Sequence, residues 1–165
     1  MNRFDLSKKV VASFAEGGCT LAFAESCTGG LAAESIVQIP GSSKIFYGSV
    51  VSYDNSVKEK LLFVKKETLE SVGAVSEECA MQMADGARKQ IGTDIAISVT
   101  GIAGPGGGTP EKPVGLVYIG VSSKCGTYAK KLLLGHLGTR NEIRSEAVCE
   151  MLTTALDEFD KIKLP

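Results

Sequence analysis

The chain has 165 residues, the usual size of one compact domain, and its 44% hydrophobic and 22% charged residues are typical of a globular protein rather than a disordered one. Its 18 Lys and Arg against 19 Asp and Glu leave a net charge of −1, so the broad positive field of a duplex-binding protein is missing. Nucleic acid is therefore not an expected partner.

The first part of the chain predicts two helices with a strand between them. Apolar residues recur at helical spacing after Asp5, a candidate N-cap, and stop at Gly17-Gly18. The apolar run 20–24 predicts a strand that meets the glycine turn 25–30, and helical spacing then continues until Pro40. This is the order of a strand, a turn and a crossover helix.

The middle of the chain repeats this order. Residues 46–53 are rich in β-branched and aromatic side chains, and Asp54-Asn55 predicts the cap of a following helix. Ser76 opens another helix, which Gly92 ends. The nearly continuous apolar run 94–100 then predicts a central strand that is covered on both faces.

The last part predicts a hairpin and a helix. Strands 114–123 and 127–134 are separated by residues 124–126, which is short enough for an antiparallel connection. A capping box formed by Thr139 and Glu142 begins the last helix.

These elements favour one α/β domain over residues 1–165, a three-layer α/β/α sandwich around a five-stranded, mostly parallel mixed sheet with one antiparallel strand. Ligands of such sheets bind outside the carboxyl ends of the parallel strands. Those ends carry residues 25–28, 52–55 and Thr100-Gly101, so we expect these polar groups to converge on one crevice.

Cysteine usage and apolar runs indicate the compartment. The five cysteines have no C-x-x-C spacing, which argues against a disulfide framework and a zinc knuckle. No apolar run approaches the roughly 20 residues of a membrane span, and the first residues lack the apolar core of a signal peptide. We expect a cytoplasmic protein with free thiols and no membrane partner.

Ser26 is a candidate nucleophile because it lies on a predicted strand-to-helix turn. The N–H groups around Thr28, Gly29 and Gly30 could then hold an oxyanion or a phosphate. The alternative is that Ser26 and Thr28 only cap the helix, which is the commonest role of such residues at a turn. The flanking residues also differ from the G-x-S-x-G pattern of a nucleophile elbow.

A serine nucleophile needs a base, and two residues come into question. The only histidine, His136, has no evident acidic partner and is expected in a loop or at a strand end. A lysine that is neutral at pH 7 costs about 4–5 kcal/mol and must be desolvated or lie near other positive charge. Most lysines here are expected on the surface, whereas Lys58 could reach back over the strand ends.

Two further features could contact a ligand. The segment 104–108 is rich in glycine but matches neither a Walker loop nor a Rossmann fingerprint, and it is either a surface connection or a lid over the crevice. Arg140 could bind a phosphate with two hydrogen bonds, although a surface arginine needs no such role.

Six motifs in one order resemble the CinA carboxy-terminal domain family, and the resemblance runs from about Leu6 to Phe159. These motifs are residues 24–30, 40–43, 48–55 with Lys58, 73–76, 99–108 and 112–115. Many members are nicotinamide mononucleotide deamidases of pyridine nucleotide recycling, which release ammonia and nicotinic acid mononucleotide. The resemblance also implies a homodimer or larger assembly, and the chain resembles the stand-alone amidase form, without the amino-terminal domain that many members carry.

Carried over by motif, Ser26 matches the proposed nucleophile of the family and Lys58 its base. Other residues implicated in the pocket are matched by Ser43, Tyr53, Thr100 and Arg140. The resemblance does not decide whether Ser26 or Ser43 attacks the carboxamide.

The mechanism that the resemblance implies needs no metal or organic cofactor. Lys58 would accept the serine proton, N–H groups near residues 28–30 or Thr100-Gly101 would stabilise the oxyanion, Arg140 would bind the 5′-phosphate, and Tyr53 would line the ring pocket. An amidase for another small amide, and a non-catalytic nucleotide-binding or competence-related module, are the alternatives.

Overall fold

The computed structural model describes residues 1–163, and six α-helices and five strands alternate along this part of the chain. In chain order they are α1 (Arg3–Gly17), β1 (Leu21–Glu25), α2 (Leu31–Val37), β2 (Phe46–Val51), α3 (Asn55–Leu62), α4 (Lys66–Ser71), α5 (Glu77–Ile91), β3 (Ile95–Gly101), β4 (Leu116–Ser123), β5 (Gly126–Leu133) and α6 (Arg140–Lys163). Two short 3₁₀ turns lie at Ser42–Lys44 and Gly135–Leu137.

The five strands form one sheet in the order β2-β1-β3-β4-β5. Strand β1 pairs in parallel with β2 and β3, and β4 pairs antiparallel with β3 and β5. The predicted mostly parallel sheet with one antiparallel strand is therefore confirmed. Strand β2, which follows β1 in the chain, lies on one side of β1, and β3 lies on its other side. The direction in which strands are added to the sheet therefore changes at β1. Sheets of this kind bind ligands at such a point, at the carboxyl ends of the neighbouring strands β1 and β3.

Helices cover both faces of the sheet, as the three-layer prediction requires. One core joins α1, α2 and α6 to residues such as Leu21 and Phe23 of β1. The other joins α3 and α5 to Ala22 and Ala24 of the same strand. The residues of β1 are buried on both faces, which explains its continuous apolar run.

Caps define the starts of three of the six helices as predicted. Asp54 accepts the N–H of Ser56 at the start of α3, and Thr139 and Glu142 exchange hydrogen bonds at the start of α6. Helix α5 likewise begins after Ser76, whose side chain accepts the N–H of Cys79.

The predicted cap of the first helix was wrong, and one helix was not predicted. Helix α1 is capped by Asn2, whose side chain accepts the N–H of Asp5, so Asp5 lies inside the first turn. Helix α4 has six residues, of which only Thr68 is buried, and therefore carries no apolar stripe. Within residues 1–163, no helix is both long and apolar enough to cross a bilayer.

Candidate active site

A cavity of about 250 Å³ opens at the edge of the sheet where β1 and β3 end. It is lined by Ser26, Cys27, Tyr53, Gly101, Arg140 and residues 102–104, 106 and 107. The polar residues predicted to converge at the strand ends thus supply much of its wall. The glycine-rich segment forms another part of the wall through Gly104, Gly106 and Gly107, and its movement as a lid stays a prediction.

Ser26 and Lys58 meet beside this cavity. The Nζ atom of Lys58 lies 3.1 Å from Ser26 Oγ and also donates a hydrogen bond of 2.5 Å to the carbonyl oxygen of Ser52. Lys58 is in the second turn of α3, and because Asp54 caps that helix at the end of β2, the side chain reaches back over the strand ends. The local sequence thereby sets both the helix start and the direction of the lysine.

Burial changes the acidity of Lys58. The side chain is only 1% exposed, and this loss of water lowers its pKa below the ordinary value of 10.5. Charges at Cys79 and Asp54 act in the opposite direction but are smaller influences. A desolvated amine of lowered pKa within hydrogen-bond distance of a hydroxyl is suited to accept its proton.

Cys27 follows Ser26 in the wall of the cavity but is a poor competing nucleophile. Burial raises the pKa of its thiol to about 11, although the nearby charges of Arg140, Arg144 and Lys58 act to lower it. The thiol is therefore protonated at neutral pH, and only a thiolate is strongly nucleophilic. Its surroundings are nevertheless electropositive.

Glu25 is a buried carboxylate that the sequence analysis did not single out. It accepts hydrogen bonds from the Thr28 and Ser49 hydroxyls and from three backbone N–H groups at the start of α2, those of Gly30, Ala32 and Ala33. Its negative charge lies at the positive end of that helix. The sequence signal that could have identified Glu25 is its position directly after a buried strand and before a glycine turn.

This arrangement removes the N–H groups of Gly29 and Gly30, but not that of Thr28, from the predicted donors to an oxyanion or phosphate. The Gly30 N–H and the Thr28 hydroxyl donate to Glu25, and the Gly29 N–H donates to the carbonyl oxygen of Ser26. None of these three donors is free to bind an oxyanion or phosphate, because the Glu25 carboxylate accepts two of them and the carbonyl oxygen of Ser26 accepts the third. The N–H groups of Cys27 and Thr28, in contrast, donate to no oxygen of residues 1–163.

Thr100 and Gly101 have different surroundings. The Thr100 hydroxyl is buried and donates to the carbonyl oxygen of Ala74, so it supports the segment before α5 and does not line the cavity. Gly101 does line it, and a Cβ atom there would lie 2.7 Å from the carbonyl oxygen of Leu116. The Thr100 hydroxyl thus supports the segment before α5, and a contact of Thr100 with substrate stays a prediction.

Arg140 joins two walls of the cavity. Its Nη2 atom donates to the Tyr53 hydroxyl at 2.9 Å, and its Nη1 atom donates to the carbonyl oxygen of Gly104 at 2.6 Å. Both acceptors are neutral, so no carboxylate of the described residues balances this guanidinium through a direct contact. The mouth of the cavity therefore favours an anionic group.

Ser43 is not part of this site within one chain. It is exposed in the 3₁₀ turn that precedes β2, at the amino end of the parallel strands, whereas Ser26 follows their carboxyl end. A five-residue strand separates the two positions by about 15 Å. Ser26, rather than Ser43, is therefore the serine that meets Lys58, and His136 lies exposed in another 3₁₀ turn, as predicted.

Arg144 is a second charged residue that sequence reasoning missed. It lies one helical turn after Arg140 on α6, and its guanidinium donates to the carbonyl oxygens of Cys27 and Thr28 at 3.2 and 2.7 Å. These contacts hold the backbone of the turn that carries Ser26. The only available signal was the spacing of four residues from Arg140, which places both arginines on one helix face.

A second cavity, of about 220 Å³, lies at the opposite edge of the sheet. Its polar lining includes Arg88, Asp94 and Lys124. Cys19 also lines it, and burial raises the pKa of that thiol to about 11. Among the residues that line it there is no serine, so it offers no counterpart of the pair formed by Ser26 and Lys58.

The fold and site define a class, a three-layer α/β/α domain that carries a serine and a buried lysine at the switch point of its sheet. The sequence model of the CinA C-terminal domain matches residues 3–159. The chain belongs to the CinA C-terminal domain family, in agreement with the resemblance of its motifs.

Relatives and solved structures agree with this assignment. The chain is 55% identical over 160 residues to a CinA-like protein of Kosmotoga olearia, covering 97% of this chain but 37% of that protein. It thus spans about a third of the length of the curated relatives that it matches.

Two crystal structures share the fold over nearly the whole chain. The competence/damage inducible protein CihA from Agrobacterium tumefaciens is 38% identical, with a TM-score of 0.92 and coverage of 97% of this chain and 96% of its own. The competence damage-inducible protein A from Klebsiella pneumoniae is 31% identical, with a TM-score of 0.92 and coverage of 97% and 98%. The predicted fold class is confirmed by these likenesses.

We predict that Glu25→Gln destabilises the fold by about 1–3 kcal/mol, because an amide cannot accept all the hydrogen bonds that the buried carboxylate accepts. Urea unfolding of both proteins measures the difference. The control is Glu34→Gln, an exposed acid in the first turn of the same helix, for which we expect less than about 0.5 kcal/mol. Equal effects of the two substitutions would contradict a special role of Glu25.

Proposed function

We propose that the chain hydrolyses the carboxamide of nicotinamide mononucleotide to nicotinic acid mononucleotide and ammonia. The observation that carries this proposal is the contact of the buried Lys58 amine with the Ser26 hydroxyl at the edge of the cavity. Membership of the CinA C-terminal domain family supports the choice of reaction through the resemblance described above.

The first half of the proposed reaction forms an ester on Ser26. Neutral Lys58 accepts the hydroxyl proton as Oγ attacks the carboxamide carbon, which gives a tetrahedral intermediate with a negative oxygen. The C–N bond then breaks, and the protonated Lys58 returns the proton to the departing nitrogen, so that ammonia leaves. The nicotinoyl group remains as an ester of Ser26.

The second half releases the acid by the same groups. Water attacks the ester carbon while Lys58 accepts one of its protons, and the proton then returns to Ser26 Oγ as the ester bond breaks. Because Ser52 accepts one N–H of Lys58, the lone pair of the neutral amine is free to face Ser26. The N–H groups of Cys27 and Thr28 supply candidate donors for the oxyanion in both halves.

The cavity supports a small anionic substrate. Its volume of about 250 Å³ is below the roughly 300–1,000 Å³ of typical ligand sites, which favours a mononucleotide over a dinucleotide. Arg140 contacts neutral acceptors and is proposed to bind the 5′-phosphate. Tyr53, which is 63% exposed at the mouth, is proposed to pack against the pyridine ring.

An assembly of two or more copies is also part of the proposal. Strand β2 is an edge of the sheet, and it presents Tyr47 and Val51 to solvent. Unpaired edges with apolar side chains favour pairing with another chain. Light scattering of the purified protein measures the number of copies.

We predict that ammonia release from the mononucleotide exceeds release from free nicotinamide, its riboside and the dinucleotide. We also predict that Ser26→Ala and Lys58→Met each lower kcat for the mononucleotide by at least about 10³-fold. A coupled ammonia assay on the purified proteins measures both comparisons. Lys60→Met is the matched control, since Lys60 is exposed on the same helix. Binding of the mononucleotide without turnover by the unaltered chain would instead favour a nucleotide-binding module.

We predict that kcat/KM for the mononucleotide rises with pH. This rising limb of the pH profile should fit the loss of one proton, with a midpoint below pH 10.5. The sign follows because burial lowers the pKa of Lys58 and only its neutral form accepts the serine proton. Initial rates across pH, with unfolding checked at each value, define the limb. A rate that falls as pH rises over this range would exclude Lys58 as the base.

We predict that Arg140→Ala lowers kcat/KM for the mononucleotide by about 10–100-fold, as loss of a charge-assisted hydrogen bond worth about 1.5–3 kcal/mol requires. The riboside, which lacks the phosphate, is the control, and its hydrolysis by the variant should be nearly unchanged. Initial-rate kinetics on the two substrates provide the comparison. Equal losses for both would show that Arg140 does not recognise the phosphate.

A further inference from the structure

We infer that Arg144 is a positioning residue that orients the backbone N–H group of Thr28 toward the negative oxygen of the tetrahedral intermediate and holds the turn in which the Cys27 N–H lies next to it. This inference rests on the proposed amide hydrolysis at Ser26. Arg144 does not line the cavity, so it acts on the reaction through the turn that it holds.

Three consecutive peptide groups of this turn have fixed directions. The carbonyl oxygen of Ser26 accepts the Gly29 N–H, that of Cys27 accepts from Arg144 Nε, and that of Thr28 accepts from Arg144 Nη2 and from the Leu31 N–H. Two of the three carbonyls are therefore held by one side chain. Lys or any residue with a single donor group cannot reproduce this planar fork.

Because a trans peptide group is planar, the direction of each carbonyl oxygen also fixes the direction of the N–H group that follows it. The peptide bonds of residues 26–29 are trans, since the cis bond of the described residues is the one between Gly104 and Pro105. In each of these trans peptides the N–H points opposite to the carbonyl oxygen of the preceding residue. When Arg144 binds the Cys27 carbonyl, the Thr28 N–H must point away from Arg144. The Ser26 carbonyl, held by Gly29, directs the Cys27 N–H in the same manner.

Within residues 26–31, the N–H groups of Cys27 and Thr28 are also the two that donate to no oxygen of the described chain. They follow the nucleophile directly, at the position where the nucleophile elbow of other hydrolases provides an oxyanion donor. Farther along the chain, the N–H groups of Gly30, Ala32 and Ala33 already donate to Glu25.

The contacts of Arg144 are specific to the turn. Its remaining polar neighbour within hydrogen-bond distance is Asn141 Oδ1 at 3.4 Å, and no carboxylate of the described residues pairs with it. Helix α6 thus carries Arg140 at the mouth of the cavity and Arg144 behind the nucleophile. One rigid helix fixes both groups relative to each other.

The test compares the kinetics of Arg144→Ala, Arg144→Lys and the unaltered chain with nicotinamide mononucleotide. We expect Arg144→Ala to lower kcat by roughly 10²-fold with KM changed less than about threefold, because misplaced oxyanion donors affect the transition state more than the bound substrate. Arg144→Lys should recover only part of kcat. Added guanidinium should restore kcat of Arg144→Ala and leave Ser26→Ala inactive.

Arg88→Ala is the matched control. Arg88 is likewise half-buried and donates to two backbone carbonyl oxygens, those of Asp94 and Ser123, at the opposite edge of the sheet. Thermal unfolding should show similar losses of stability for the two alanine variants, whereas only Arg144→Ala should lose kcat. A loss of kcat in proportion to the loss of stability in both variants would overturn the inference.

The remaining outcomes separate this inference from the proposed function. If the unaltered chain releases no ammonia from the mononucleotide, the proposed function is wrong and the inference fails with it. If the unaltered chain is active and Arg144→Ala keeps its kcat, the proposed function stands and the inference is wrong. If Arg144→Ala raises KM alone, Arg144 contacts the substrate instead of positioning the turn.

Discussion

The burial of the Lys58 amine is the constraint on which the site depends. A buried amine loses the water that would stabilise its charge, and the structure compensates with two contacts, one to a backbone carbonyl and one to the Ser26 hydroxyl. Both partners lie just beyond the carboxyl ends of parallel strands. The lysine is therefore buried and still meets a nucleophile because it lies against the carboxyl ends of the neighbouring strands β1 and β2.

The turn that carries Ser26 is held from two sides by opposite charges. Glu25 accepts N–H groups at the start of α2, and Arg144 donates to the carbonyl oxygens of Cys27 and Thr28. Glu25 satisfies N–H groups that the first turn of α2 leaves without partners, and Arg144 satisfies the Cys27 carbonyl oxygen and adds a second donor to that of Thr28. The result is a backbone with little freedom at the place where a nucleophile must be aimed accurately.

Much of the fold could be predicted from the sequence because its signals are local. Alternation of apolar runs with helical spacing indicated the five strands, and Asp54, Ser76 and Thr139 capped the helices as expected. Helix α4 escaped prediction because it is short and exposes most of its residues. In the site, Ser26 and Lys58 were identified as candidates, and the structure brings them together, whereas Ser43 lies at the other end of β2.

The sequence by itself determined the five strands, most of the helices and the polar residues that follow the strand ends, because these depend on neighbours within a few positions. Only the tertiary structure decided which polar groups touch. Arg144 lies 117 residues from Cys27 in the chain, and Lys58 lies 32 from Ser26. Such contacts depend on strand order and helix packing, which bring distant parts of the chain together. Burial, which sets the acidity of Lys58, is likewise a property of the packed layers.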